Sequence, residues 1–298
     1  MPQEEVLIQN LKLIAALQPE LAEDLVAVKP SRIHRCKTRN DEENIYVDVE
    51  GKKECYHSSY NAAREAENWF SALDLEKVDV LYVYGIGMGH YYDAAMSWLE
   101  ESSSRYLVFI EDDIEVLRHF VETEKASVIL KNLQVMVRYI PSIPAGEPTF
   151  YWLSWFFVLL PLDVSALSYY SKARETSYVQ FKQKLLHDSV RKDALAAEFM
   201  RFSGSFFNNF YNNLQVLPQA HHGNKMFGKF KGTTAIICGA GPSLDKNGAL
   251  LKNLSEDAII FAGSSSLNAL REHGVTPHFA AGIDPNPPQY DRMLSNHI

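Results

Sequence analysis

Cysteine, long apolar runs and positive charge are all scarce in this chain, and each scarcity removes a class of protein. Three cysteines occur in 298 residues, Cys36, Cys55 and Cys238. They are too few and too scattered for a disulfide framework or a zinc site. A reducing cytoplasm is the simplest setting. The most apolar stretch, Phe150–Leu160, is interrupted by Ser154 and stopped by Pro161. It is too short to cross a bilayer and reads as buried core. The first ten residues, MPQEEVLIQN, are acidic and lack the basic region of a signal peptide. Lys and Arg number 29 against 37 Asp and Glu, a net charge of −8, which gives no basis for general nucleic-acid binding. A local basic cluster (Arg32, His34, Arg35, Lys37, Arg39) has no interleaved aromatics and reads as a solvated linker.

What is present suits a globular protein. A hydrophobic fraction of 46% with 22% charged residues can bury a sizeable core, and the length allows two domains. Val6, Leu7, Leu11, Ile14, Leu17, Leu21 and Leu25 recur at helical spacing, predicting one helix or two broken at Pro19. Ile45–Val49, a Glu50–Lys53 turn and Cys55-Tyr56 resemble a β-hairpin, after which Ser58 or Ser59 caps a helix to about Leu73.

From Val78 the pattern becomes strand, turn, helix, strand. Val78–Tyr84 leads into Gly85-Ile86-Gly87-Met88-Gly89-His90, and Tyr106–Ile110 ends in Glu111-Asp112-Asp113. A helix over Ile114–Glu124 and a strand near Val135–Ile140 complete a β-α-β-α-β unit, implying a parallel doubly wound sheet. Residues 164–215 read as two helices. The aromatic and asparagine run Phe206–Asn213 within them reads as core packing. The expected organisation is an α/β domain over 1–160, a helical connector over 161–230, and the start of a Rossmann-like domain over 231–298.

That last unit predicts a strand at Thr234–Cys238, the turn Gly239-Ala240-Gly241-Pro242-Ser243-Leu244, and a helix near Ala249–Leu254. A strand at Ala258–Ala262, a helix to His273 and a strand at Phe279–Ile283 follow. About three strands fit here, whereas a doubly wound domain uses about five or six, so the unit is expected to be incomplete. Its exposed sheet edge would then need cover, for which a homo-oligomer is one solution.

Ligands of open α/β sheets bind at the carboxyl ends of strands. Here those ends supply Gly239–Leu244, then Ser264, Ser265 and Ser266, then Asp284. Small residues let the backbone approach an anion, and the following helix start favours phosphate. Ser243 adds a hydroxyl and can cap the helix; the plainer reading is a tight strand-to-helix turn. Asp284 either holds a ribose or a divalent cation beside a diphosphate, or initiates a turn with Pro285. Gly85, Gly87 and Gly89, with Glu111 at the next strand end, suggest a second nucleotide site laid out as in S-adenosylmethionine methyltransferases. A structural turn is the plainer reading there too.

The Cys238–Leu244 turn, the Ser264–Ser266 strand end, Gly274-Val275-Thr276-Pro277-His278 and Asp284-Pro285 together resemble a known family. It is that of the motility-associated-factor flagellin glycosyltransferases, whose central domain is shared with 6-hydroxymethylpterin diphosphokinase-like proteins. Tyr56–Tyr60, Gly85–Gly89, Glu111 and Asn208–Asn213 extend the likeness, so that it runs from about residue 40 to the end. The resemblance implies a sialyltransferase-like fold. It also implies transfer of a sialic-acid-like sugar from CMP-pseudaminic or CMP-legionaminic acid to a Ser or Thr of flagellin or a similar acceptor. Gly239, Gly241, Pro242 and Ser243 would cradle the CMP phosphate. The alternatives are an ATP/Mg²⁺-dependent diphosphokinase with Asp284 on the metal, or a non-catalytic interaction module. No catalytic base is apparent, and His278 precedes a strand.

Overall fold

A computed structural model of the protein describes residues 2–141, 153, 155–254 and 256–283. The chain divides into two compact units, Met1–Ala196 and Ala197–Ile298.

The first unit opens with helices α1 (Pro2–Ala15) and α2 (Pro19–Ala27), broken where Pro19 occupies the first turn of the second. Strands β1 (Ile33–Lys37), β2 (Glu43–Val49) and β3 (Lys52–Cys55) form an antiparallel sheet in that order. The β2–β3 hairpin turns through Glu50 and Gly51, both at positive φ, which matches the strand twist. Strand β1 corrects the solvated-linker reading of the basic cluster. Arg32 and Arg35 are spent on carboxylates of a neighbouring helix, and Ile33 between them is buried. The helix α3 (Ala62–Ser71) is capped by Asn61, whose side chain accepts the Arg64 N–H, rather than by Ser58 or Ser59.

Strands β4 (Val80–Tyr84), β5 (Tyr106–Glu111), β6 (Val135–Tyr139) and β7 (Leu162–Ala166) make an all-parallel sheet ordered β6-β5-β4-β7. Helices α4 (His90–Glu100), α5 (Ile114–Val121) and α6 (Glu124–Lys131) connect its strands. Every residue of β4 is buried, as expected of a central parallel strand covered on both faces. The Ile114–Glu124 helix of the sequence reading is two helices, because Thr123 breaks the run and caps α6 through the Ala126 N–H. Strand β7 falls where the connector was expected to be helical. It lies beside β4, so the direction of winding reverses between the two. Helix α7 (Ser168–Ala173) follows. The two helices expected next are one, α8 (Glu175–Val216), which runs across the division between the units. The Phe206–Asn213 segment within it is not core: Phe207, Phe210 and Tyr211 are more than half exposed. Most of Phe150–Leu160 lies outside the described residues, although Leu153 and Phe157 are buried as expected.

In the second unit, β8 (Thr234–Cys238), α9 (Pro242–Leu254), β9 (Ala258–Gly263), α10 (Ser264–Glu272) and β10 (Phe279–Ala281) form a half-wound β-α-β-α-β unit. Its sheet is parallel, ordered β10-β9-β8. The core is small and includes Cys238, Leu244, Leu251, Ile260 and Leu270.

Candidate functional site

The turn Gly239-Ala240-Gly241 joins the carboxyl end of β8 to the start of α9. Pro242 holds the first helical position, where a missing N–H costs nothing. The Leu244 N–H is taken by the Gly241 carbonyl at 2.9 Å. Donors for an anion therefore come from the turn's own backbone and from Ser243, which is exposed. A Cβ added at Gly239 would meet nothing within 4 Å, and one at Gly241 only the Ser243 hydroxyl, at 4.0 Å. The turn is thus open on its outer side. Leu244 points the other way, into the core of this unit.

Ser264, Ser265 and Ser266 are the first turn of α10 rather than a loop before it. Ser265 is exposed, while Ser264 and Ser266 are buried. The Ser266 hydroxyl donates toward both the Cys238 and Gly263 carbonyls, each at 2.8 Å, and so ties the ends of β8 and β9 together. The structure brings the first and second strand-end clusters to one edge of the sheet. Asp284 lies outside the described residues. His278 sits away from that edge: its Nδ1 accepts the Ile260 N–H at 3.1 Å, and its own N–H bonds the Ile260 carbonyl. Among the described residues no cluster of three or more His, Cys, Asp or Glu side chains could hold a metal ion.

Gly85, Gly87 and Gly89 follow β4 and all have positive φ. This turn is packed by the protein's own side chains. A Cβ at Gly85 would lie 2.6 Å from the Tyr170 ring, and one at Gly87 would collide with His57 Nε2. His57 is fully buried and its Nε2 accepts the Met88 N–H at 2.9 Å. Burial, reinforced by the nearby His90, pushes its pKa well below the ordinary imidazole range, so it stays neutral. The proton is then on Nδ1, which has no hydrogen-bond partner.

Glu111 is completely buried beside that turn. Its carboxylate accepts the Ile86, Asp112 and Asp113 N–H groups and the Tyr170 hydroxyl. Burial, then the Asp112 charge, pushes its pKa up to about 7, against the pull of Tyr170 and Ile86. Arg174 pairs with Asp112 and Asp113, and Arg32 bonds Asp113 and Glu115 from the other side. Tyr170, Arg174 and His57 complete this centre from distant parts of the chain, and only His57 lay in a segment singled out by sequence.

These features define an α/β protein with two parallel sheets, the second bearing an open glycine turn at a strand end. Residues 208–297 match the family model described as 6-hydroxymethylpterin diphosphokinase MptE-like. The fold is shared with the MAf glycosyltransferase from Magnetospirillum magneticum AMB-1, with a TM-score of 0.58 at 14% identity. That alignment covers 99% of this chain and 52% of the other, so the chain spans about half the length of the solved structure it matches. The second unit's sequence thus bears the likeness to 6-hydroxymethylpterin diphosphokinase-like proteins, and the chain shares its fold with a glycosyltransferase structure. MNMC2 from Aquifex aeolicus is also matched over 51% of this chain and 56% of its own, at 15% identity and a TM-score of 0.29. No curated protein sequence matches. No helix among the described residues is long and apolar enough to cross a membrane.

Proposed function

We propose that the second unit binds a CMP-activated, sialic-acid-like sugar, such as CMP-pseudaminic or CMP-legionaminic acid, through Gly239, Gly241, Pro242 and Ser243. The sugar would pass to a Ser or Thr hydroxyl of flagellin or a similar protein. The observation that supports this most is the open Gly239–Gly241 turn. It stands at a strand's carboxyl end against a helix start, the geometry that favours a phosphate. In such a transfer the phosphate leaves with negative charge, which backbone N–H groups and the helix dipole stabilise. The acceptor hydroxyl must also lose a proton, and no described residue at this edge takes that role. Ser266 acts beneath the site by holding the ends of β8 and β9 at fixed spacing. The match over 208–297 favours a second reading, an ATP/Mg²⁺-dependent diphosphokinase-like activity, in which Asp284 would contact the metal.

Thermal unfolding with CMP and with ATP–Mg²⁺ separates the two. A ligand at about 100 times its dissociation constant adds roughly 2.7 kcal/mol of stability. Stabilisation by CMP that disappears in Gly241→Val is the expected outcome. Stabilisation by ATP alone, abolished by chelating Mg²⁺, would transfer the assignment to the diphosphokinase-like reading. Silence with both would overturn nucleotide binding by this chain.

A further inference from the structure

The first unit carries a groove with two exposed cations on its walls. It runs beside the carboxyl end of β7, where the sheet reverses its direction of winding and where open α/β sheets place ligands. Two depressions of about 750 and 600 Å³ meet at Ser58, Glu65, Ser168 and Lys172. Each is of a size that holds a small molecule.

The walls offer donors. Arg64 and Lys172 are exposed and make no ion pair with a described residue. The Ser58 hydroxyl accepts the Tyr60 and Asn61 N–H groups, at 3.2 and 3.4 Å, which leaves its own hydrogen to give. His57, completely buried at the groove's wall, points its unpartnered Nδ1–H toward Glu65 Oε2, 3.9 Å away and beyond hydrogen-bond reach. Glu54 and Asn68 also line the groove, but the acceptors nearest His57 are engaged. Glu65 Oε2 takes the Ser58 N–H at 2.5 Å, and the Ser168 hydroxyl pairs with the Tyr91 hydroxyl at 3.0 Å. A buried donor without an acceptor costs stability; Lys172 lines the same depression as His57, and Arg64 lines the adjoining one. We propose that this groove is a binding site for a small, oxygen-rich anion, a phosphate- or carboxylate-bearing hydroxylated molecule held by Arg64 and Lys172. The site lies wholly within the first unit and does not depend on the nucleotide reading of the second.

The test is a titration of the full ¹⁵N-labelled chain with inorganic phosphate, gluconate and sorbitol, at low ionic strength. The Trp69 indole N–H, which lines the groove and bonds the Ser165 hydroxyl at 2.8 Å, is the probe and is assigned by Trp69→Phe. Phosphate, gluconate or both should shift that signal saturably, and whichever does so names the anionic group. Sorbitol should not shift it. Arg64→Ala and Lys172→Ala, both surface changes, should each weaken binding about fivefold, the scale of one exposed charge contact. Glu65→Gln, which removes the opposing charge, should tighten it. Gly241→Val should change nothing. The site is overturned if neither anion shifts the signal, if sorbitol shifts it equally, or if the two cations prove dispensable. It is equally overturned if Glu65→Gln weakens binding, or if Gly241→Val abolishes it.

Discussion

At the scale of single residues, Glu111 is the group whose ionisation the fold opposes. An ordinary Glu titrates near 4.3, whereas burial and Asp112 raise Glu111 to about 7. The folded state therefore binds more protons than the unfolded chain between those values. The stability this contributes is fully present below the unfolded pKa and is lost as pH rises through the folded one. Glu111→Gln mimics the protonated form and removes the dependence. From about pH 5 to about pH 8 the variant should gain stability relative to the parent, by on the order of 2–3 kcal/mol. Urea unfolding of both proteins at the two pH values checks this. A constant difference between them would mean that Glu111 titrates as an exposed carboxyl does. None of this is legible in sequence, because burial and the distant Ile86 N–H and Tyr170 hydroxyl reach the carboxylate only in the fold.

At the scale of elements, legibility followed the density of apolar residues. Val80–Tyr84 and Tyr106–Ile110 are continuous apolar runs, and both are central strands buried on two faces. Strand β1 has only Ile33 as a large apolar side chain among His34, Arg35, Cys36 and Lys37, so its charges conceal it. Besides its pairing with β2, the strand is anchored by Arg35 within it and Arg32 just before it, whose partners lie in or at the ends of α5. Arg32 bonds Asp113 at 2.9 and 3.2 Å, and Glu115 at 3.1 Å. Strand β7, Leu162-Asp163-Val164-Ser165-Ala166, carries too few apolar residues to stand out and is made by pairing with β4. Arg32 is 60% exposed, so Coulomb attraction alone is weak, but both its carboxylate partners are buried. Arg32→Ala should destabilise the first unit by about 1–2 kcal/mol, mostly by depriving buried Asp113 of two donors, since Glu115 keeps the Ser31, Arg32 and Ile33 backbone N–H groups. A loss unchanged at 1 M salt fits that account. A variant as stable as the parent would show that β1 needs no tether.

At the scale of the whole molecule, the two units differ in the size of their cores. The first joins both of its sheets and their helices in one buried cluster, whereas the second rests on a handful of residues around Ile260 and Leu270. Unequal cores should melt separately. All four tryptophans precede residue 196, so their fluorescence reports the first unit, while far-ultraviolet circular dichroism reports both. In urea the dichroism should begin to fall at lower concentration than the fluorescence. Coincident curves would mean that the units unfold as one. The β-α-β rhythm of the second unit was fully visible in sequence, because its strands are separated by glycine, serine and proline punctuation. The first unit's glycine turn looked the same on paper, yet there its neighbours Tyr170 and His57 arrive from other parts of the chain.

That arrangement gives His57 a reactivity set by the motions of the chain. Its Nε2 lone pair is engaged by the Met88 N–H, and the ring is sealed under the Gly85–Gly89 turn. An acylating reagent reaches the ring only in the moments when the turn lifts. The rate at which His57 is labelled therefore measures how often β4 lets go of its loop. The most enclosed imidazole among the described residues is in this sense a clock for local opening, readable without unfolding the protein.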